Sequence, residues 1–134
     1  ISESDPQRRR TSEIEEQPEM HRLQYAELFE DDHTLARERE RIALDQSISM
    51  MERAGSPHSA SIDRTKAVYF TTKLWTILIE DLANPENGLP KELRAQIISI
   101  GIWILRELEA IGNDGGKTFT DVIEVSKAIR NGIL

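Results

Sequence analysis

The sequence contains no cysteine. Disulfides, thiolate nucleophiles and cysteine-based zinc sites are therefore excluded. No run approaches the ~18 apolar residues of a membrane span. The arginines near the N-terminus are followed by no apolar stretch, so they do not read as a secretory signal. A cytoplasmic protein without membrane insertion is the expectation. Basic charge is also short: 17 Lys and Arg stand against 24 Asp and Glu, a net charge of −7. A phosphate-binding surface needs clustered Lys and Arg to displace counterions. Nucleic acid is therefore disfavoured as a direct ligand.

The chemistry of catalysis is equally thin. His21, His33 and His58 fall in segments that read as linkers, and none has a histidine at i+4. Neither a metal site nor a Ser-His-Asp set is expected. Gly116-Lys117-Thr118 imitates the end of a phosphate-binding loop. That motif needs a glycine five residues before its second glycine, where this chain has Ile111, and it follows a strand rather than a helix. Glu80 and Asp81 are adjacent, and neighbours on a helix point about 100° apart, so they do not converge on one substrate. No cofactor and no enzymatic activity is expected.

What the chain does have is helical periodicity. Hydrophobic residues make up 38% of its 134 positions, and charged residues 31%. Residues 1–19 hold only Ile1 and Ile14 as large apolar side chains and carry the run Arg8-Arg9-Arg10. They read as a flexible extension or leader, because they bury too little apolar area to offset chain entropy. The domain is read as residues 20–134. His21 to Phe29 forms a short lead-in segment, and Asp32 or Thr34 is the expected cap of the first helix. Leu35, Ile42, Ile48 and Met51, with Ala36, Ala43 and Leu44, trace one apolar stripe. Gly55-Ser56-Pro57 ends that helix.

The centre of the chain is Lys66 to Leu108. Two apolar helices flank Asn84-Pro85-Glu86-Asn87-Gly88-Leu89-Pro90, a loop short enough to force antiparallel packing. Ser59 or Ser61 is expected to open the first of these helices, and Pro90 to begin the second. Ala67, Phe70, Thr71, Leu74, Leu78 and Leu82 make one face, with Val68, Trp75 and Ile79 beside it. Leu93, Ile97, Ile100, Gly101, Ile104, Leu105 and Leu108 make the facing one, widened by Ile98, Ile102 and Trp103. Gly101 costs about 1 kcal/mol in mid-helix relative to alanine, which close approach of another helix would offset. Glu80 and Asp81 sit at a helix C-terminus and call for a cation from Lys91, Arg94 or Arg106. A last helix starts at Thr118-Phe119-Thr120-Asp121, which resembles a capping box, and stops at Gly132, with Ile133 and Leu134 folding back. The fold class is all-α: a small four-helix bundle with a central antiparallel helical hairpin and a short N-terminal extension.

Both central helices are apolar on more than one face, as befits either a covered hairpin or a binding groove. Trp75, Ile79, Leu82 and Trp103 are the candidate protein-binding residues of such a groove, with tryptophan favoured at binding hot spots.

Several ordered strings here resemble the flagellar biosynthesis regulator FlaF family. They are Leu74-Trp75-Thr76-Ile77-Leu78-Ile79-Glu80-Asp81-Leu82-Ala83, then Asn84-Pro85 and Leu89-Pro90, then Leu93-Arg94-Ala95, then Ile98-Ser99-Ile100-Gly101-Ile102-Trp103-Ile104-Leu105. Tyr25-Ala26-Glu27, Ala36-Arg37-Glu38-Arg39-Glu40 and Ile123-Glu124-Val125 to Ile129-Arg130-Asn131-Gly132 fit as well. The resemblance implies a bacterial cytoplasmic protein needed for flagellin production. It implies flagellin as a direct partner, bound as by a chaperone or export cofactor. It also implies work alongside FlbT, which acts on flagellin message. Control of flagellin mRNA translation and a helical adaptor in a flagellar assembly complex are the alternative expectations.

Overall fold

The computed structural model of the chain describes residues 18–132, with side-chain environments from Thr34 onward. Among the described residues four helices are formed: α1 Pro18–Ala54, α2 Ser61–Ala83, α3 Lys91–Asn113 and α4 Thr120–Gly132. Two compact units are distinguished, Ile1–Arg37 and Glu38–Leu134. The described part of the first is the beginning of α1. The second carries the rest of α1 with α2, α3 and α4, and short loops make its successive helices antiparallel. The four-helix, all-α expectation holds. Of the expected flexible extension, residues 1–17 lie outside the described residues, as does the fold-back of Ile133 and Leu134, whereas Pro18 and Glu19 already belong to α1.

α1 differs from its expected boundary. The helix starts at Pro18 and runs unbroken through Asp31, Asp32 and Thr34, so neither candidate cap opens it. His21 and His33 are helical residues rather than linker ones. Proline suits a first helical position, and the leucine, alanine and glutamate that follow are good helix formers. Two mid-helix aspartates cost a few tenths of a kcal/mol each, too little to interrupt such a run. The apolar stripe also divides. Leu44, Ile48 and Met51 are buried together with Ser47, whereas Leu35 and Ile42 are exposed. Ile42 lies two residues from Leu44, about 200° around the helix, and so points away from the core.

The core joins all four helices. Trp75, Leu44, Met51, Ile104, Leu108, Ile111 and Val122 are sealed from solvent. Each buried aliphatic side chain contributes about 1.5–3 kcal/mol. Gly101 sets the spacing of the central hairpin. A Cβ on it would lie 2.8 Å from Cε3 of Trp75 and 3.0 Å from the Ile79 side chain. The mid-helix glycine is thus explained by ring-to-backbone packing.

Helix ends are closed largely by side chains. At the end of α2, Arg94 Nη1 donates to the carbonyls of Leu82 (3.0 Å) and Asn84 (3.2 Å), and its Nε to that of Leu89 (3.1 Å). Of the three candidate cations, Arg94 is the one placed on these carbonyls, where the helix dipole is negative. Asp81 is instead held by Asn87, whose Nδ2 donates to Oδ2 at 2.8 Å. At the other end of the hairpin, Arg64 Nη2 donates to the carbonyls of Ile111 and Asp114, both at 2.8 Å. Its guanidinium also sits 5.6 Å from the centre of the Phe119 ring.

The expected helix starts need revision. Ala60, not Ser59 or Ser61, is the N-cap of α2. Its N–H donates to Asp63 Oδ2 at 3.0 Å, half of a capping box. Ser59 turns back, its hydroxyl donating to the Ala54 carbonyl at 3.0 Å. Pro90 is the N-cap of α3, one position earlier than expected. At α4 the Phe119 carbonyl accepts the first helical bond, from the N–H of Ile123. Thr118 hydrogen-bonds the Thr120 hydroxyl and forms no capping box.

Gly101→Ala is expected to lower the thermal midpoint. Alanine gains up to about 1 kcal/mol in helix propensity, but overpacking against a buried ring costs about 1–3 kcal/mol; differential scanning calorimetry reads the sign. Arg94→Ala should cost about 1–2 kcal/mol by releasing capped carbonyls at the hairpin turn, measurable as a reduced urea midpoint.

Candidate functional site: an apolar cleft beside Trp103

α3 buries Ile97, Gly101, Ile104, Leu108 and Ile111, spaced three and four apart on one face. Ile100 and Trp103 each precede a buried position by one residue, so they stand about 100° off that face. They form a flank directed to α4. On α4 the buried residues are Val122, Ser126 and Ile129, and Val125 takes the same offset from Ser126. These flanks leave a cleft of about 390 Å³ lined by Ser99, Ile100, Trp103 and Val125. Trp103 is 36% exposed and its neighbour Ile102 41%. A large aromatic at that exposure, bordered by aliphatic groups, is a candidate anchor for a partner.

A second depression of about 390 Å³ lies along α2, lined by Arg64, Thr65, Val68, Tyr69, Thr72 and Gly112. It is more polar, and its arginine is already engaged as a helix cap. Tyr69 at its rim is 67% exposed, with the Lys73 ammonium 5.6 Å from the ring centre.

The four residues expected to line one groove are not brought together on one surface. Trp75 is fully buried and Leu82 is 6% exposed, so both belong to the core. Ile79 is half-buried against Gly101. Trp103 alone of the four faces solvent beside a cleft. Nothing in the sequence marks Ser99 or Val125 as binding residues, and Ile100 reads as part of the core face. The legible signal was the one-residue offset from each buried position.

Among the described residues, no group of three or more His, Asp and Glu side chains could hold a metal ion. None of the described helices is long and apolar enough to cross a membrane. The family model for flagellar protein FlaF matches residues 21–133. The chain belongs to the FlaF family. The match runs from within α1 to beyond the end of α4, so the Trp103 cleft lies wholly inside the family domain. Neither the curated proteins nor the solved structures give a match.

The two tryptophans of this FlaF chain should separate cleanly. Trp75→Ala is expected to cost about 3–5 kcal/mol, and Trp103→Ala less than about 1 kcal/mol, the scale of a surface change. In fluorescence, acrylamide should quench Trp103 strongly and Trp75 weakly, read in the single-tryptophan variants Trp75→Phe and Trp103→Phe.

Proposed function

We propose that this protein is a non-enzymatic regulator of flagellin synthesis and flagellar assembly. It acts by binding flagellin directly, as a chaperone or export cofactor. Membership of the FlaF family places it among flagellar proteins, and the flagellin partner is our own reading. The observation that carries it is the exposed, aliphatic-bordered Trp103 at the α3–α4 cleft. An amphipathic helix laid along two bundle helices buries its apolar face in such a groove, with a few large anchors supplying most of the energy. Trp103, Ile100 and Val125 are the anchors here, with Ser99 at the edge. Trp75 and Leu82 support the groove from within by holding α2 and α3 in place.

Calorimetric titration with purified monomeric flagellin tests this reading. Wild-type protein should bind, and Trp103→Ala should weaken binding at least tenfold, the about 1.4 kcal/mol or more that marks an anchor residue. The unfolding midpoint should stay near that of the wild type. No binding by the wild type at about ten times the micromolar range of weak complexes would overturn it. Salt-sensitive binding to the flagellin leader RNA would instead favour control of translation alongside FlbT.

A further inference from the structure

α2 carries a second exposed surface, on the side opposite its core. Ala67, Thr71, Leu74, Trp75, Leu78 and Leu82 are its buried residues. Ile62, Tyr69 and Ile77 follow one another at intervals of seven and eight residues, which places them together on the far side of the helix. The outward face of a bundle helix is normally polar, yet each of these three large side chains is more than half exposed. None of them belongs to the core, so folding does not account for them.

Lys66 and Lys73 stand on the same stripe, about one turn to either side of Tyr69. Both are exposed. The Lys73 ammonium lies 5.6 Å from the centre of the Tyr69 ring. Among the described residues neither lysine forms an ion pair. The stretch from Arg64 to Ile79 holds these two lysines and Arg64 but no Asp or Glu, a local reversal of sign in a chain of net charge −7. Asp63 and Glu80 bound the stretch, and the Asp63 carboxylate is turned to the Ala60 N–H at the helix cap. The surface is also contoured. Tyr69 stands at the rim of the depression of about 390 Å³ whose lining includes Val68 and Thr72 of α2 and Gly112 of α3.

The charges decide what can cover this face. A partner that buries Ile62, Tyr69 and Ile77 takes Lys66 and Lys73 out of water with them. An ammonium left uncompensated under an interface is costly, so the partner must bring carboxylates to both positions. A nucleic acid also brings negative charge, but it needs a denser cluster of Lys and Arg than two exposed lysines, and it would set phosphates against two isoleucines. An apolar stripe flanked by carboxylates is the pattern of an acidic amphipathic helix.

We propose that the outward face of α2 docks an acidic amphipathic helix of a partner protein. Ile62, Tyr69 and Ile77 receive its apolar stripe, and Lys66 and Lys73 pair with its carboxylates. This face shares no residue with the Trp103 cleft and does not depend on what that cleft binds.

Fluorescence anisotropy with a labelled synthetic peptide tests the face. The probe is an alanine-based helix of about 20 residues with leucines on one stripe and glutamates flanking it. The wild-type protein should bind it, and binding should weaken as salt is raised above about 0.1 M, where exposed charges are screened beyond ~10 Å. A counterpart peptide with lysine in place of every glutamate should not bind. Combining Lys66→Glu with Lys73→Glu should weaken binding of the glutamate peptide at least about tenfold. Tyr69→Ala should weaken it by a similar factor. All three substitutions are at exposed positions, so the unfolding midpoint should stay near that of the wild type. Failure of the glutamate peptide to bind, equal binding of the two peptides, or undiminished binding by the double lysine variant would each overturn the proposal. So would tighter binding of a single-stranded RNA oligonucleotide that the double variant loses, because the face would then be a phosphate surface.

Discussion

The contact between the Trp75 ring and the backbone of Gly101 fixes the distance between α2 and α3, and the rest of the bundle is built on that distance. A glycine inside a helix forfeits propensity, and it persists here because no Cβ fits beneath the indole. With the two axes that close, Ile97, Ile104 and Leu108 of α3 reach the core face of α2. The first and last helices then close over the hairpin. α4 is tied to α1 by Arg130 with Asp45 and by Lys127 with Glu52 at 2.8 Å. These pairs are partly exposed and add little stability. Their effect is to set the register of α4 on α1.

Two arginines do at the ends of the hairpin what the ring does at its middle. Arg94 gathers the carbonyls at the end of α2, and Arg64 those at the end of α3. Each reaches across to the neighbouring helix or its loop, so each also pins the hairpin geometry. A helix such as α2, with Glu80 and Asp81 in its last turns and no basic residue there, needs such a cation. Because these contacts fix α3, they also fix the flank that carries Ile100 and Trp103. The candidate binding surface is thus a consequence of how tightly the hairpin closes.

Four helices, a central hairpin, the stop at Gly55, the close approach at Gly101 and Arg94 among the compensating cations are all legible in the chain itself. Those features rest on local rules: spacing, turn residues and the electrostatics of helix ends. Helix starts were less legible. Asp32, Thr34, Ser59, Ser61 and Thr118 are all good capping residues. Yet α1 runs through Asp32 and Thr34, Ala60 caps α2, and the Phe119 carbonyl begins α4. A side chain able to cap does so only where the chain has already turned, and that turn is set by packing.

That the chain is helical, acidic, free of thiol chemistry and similar to the FlaF family is written in its residues. Each of these follows from composition, spacing or an ordered string of residues. Which apolar surface stays uncovered depends on how the helices pack. Trp75 and Trp103 look alike in sequence, each in the middle of a strongly apolar helix. One lies on the shared axis of the bundle against Gly101, and the other on a flank that α4 leaves partly open. That difference comes from how neighbouring helices rotate about one another, which no single helix encodes.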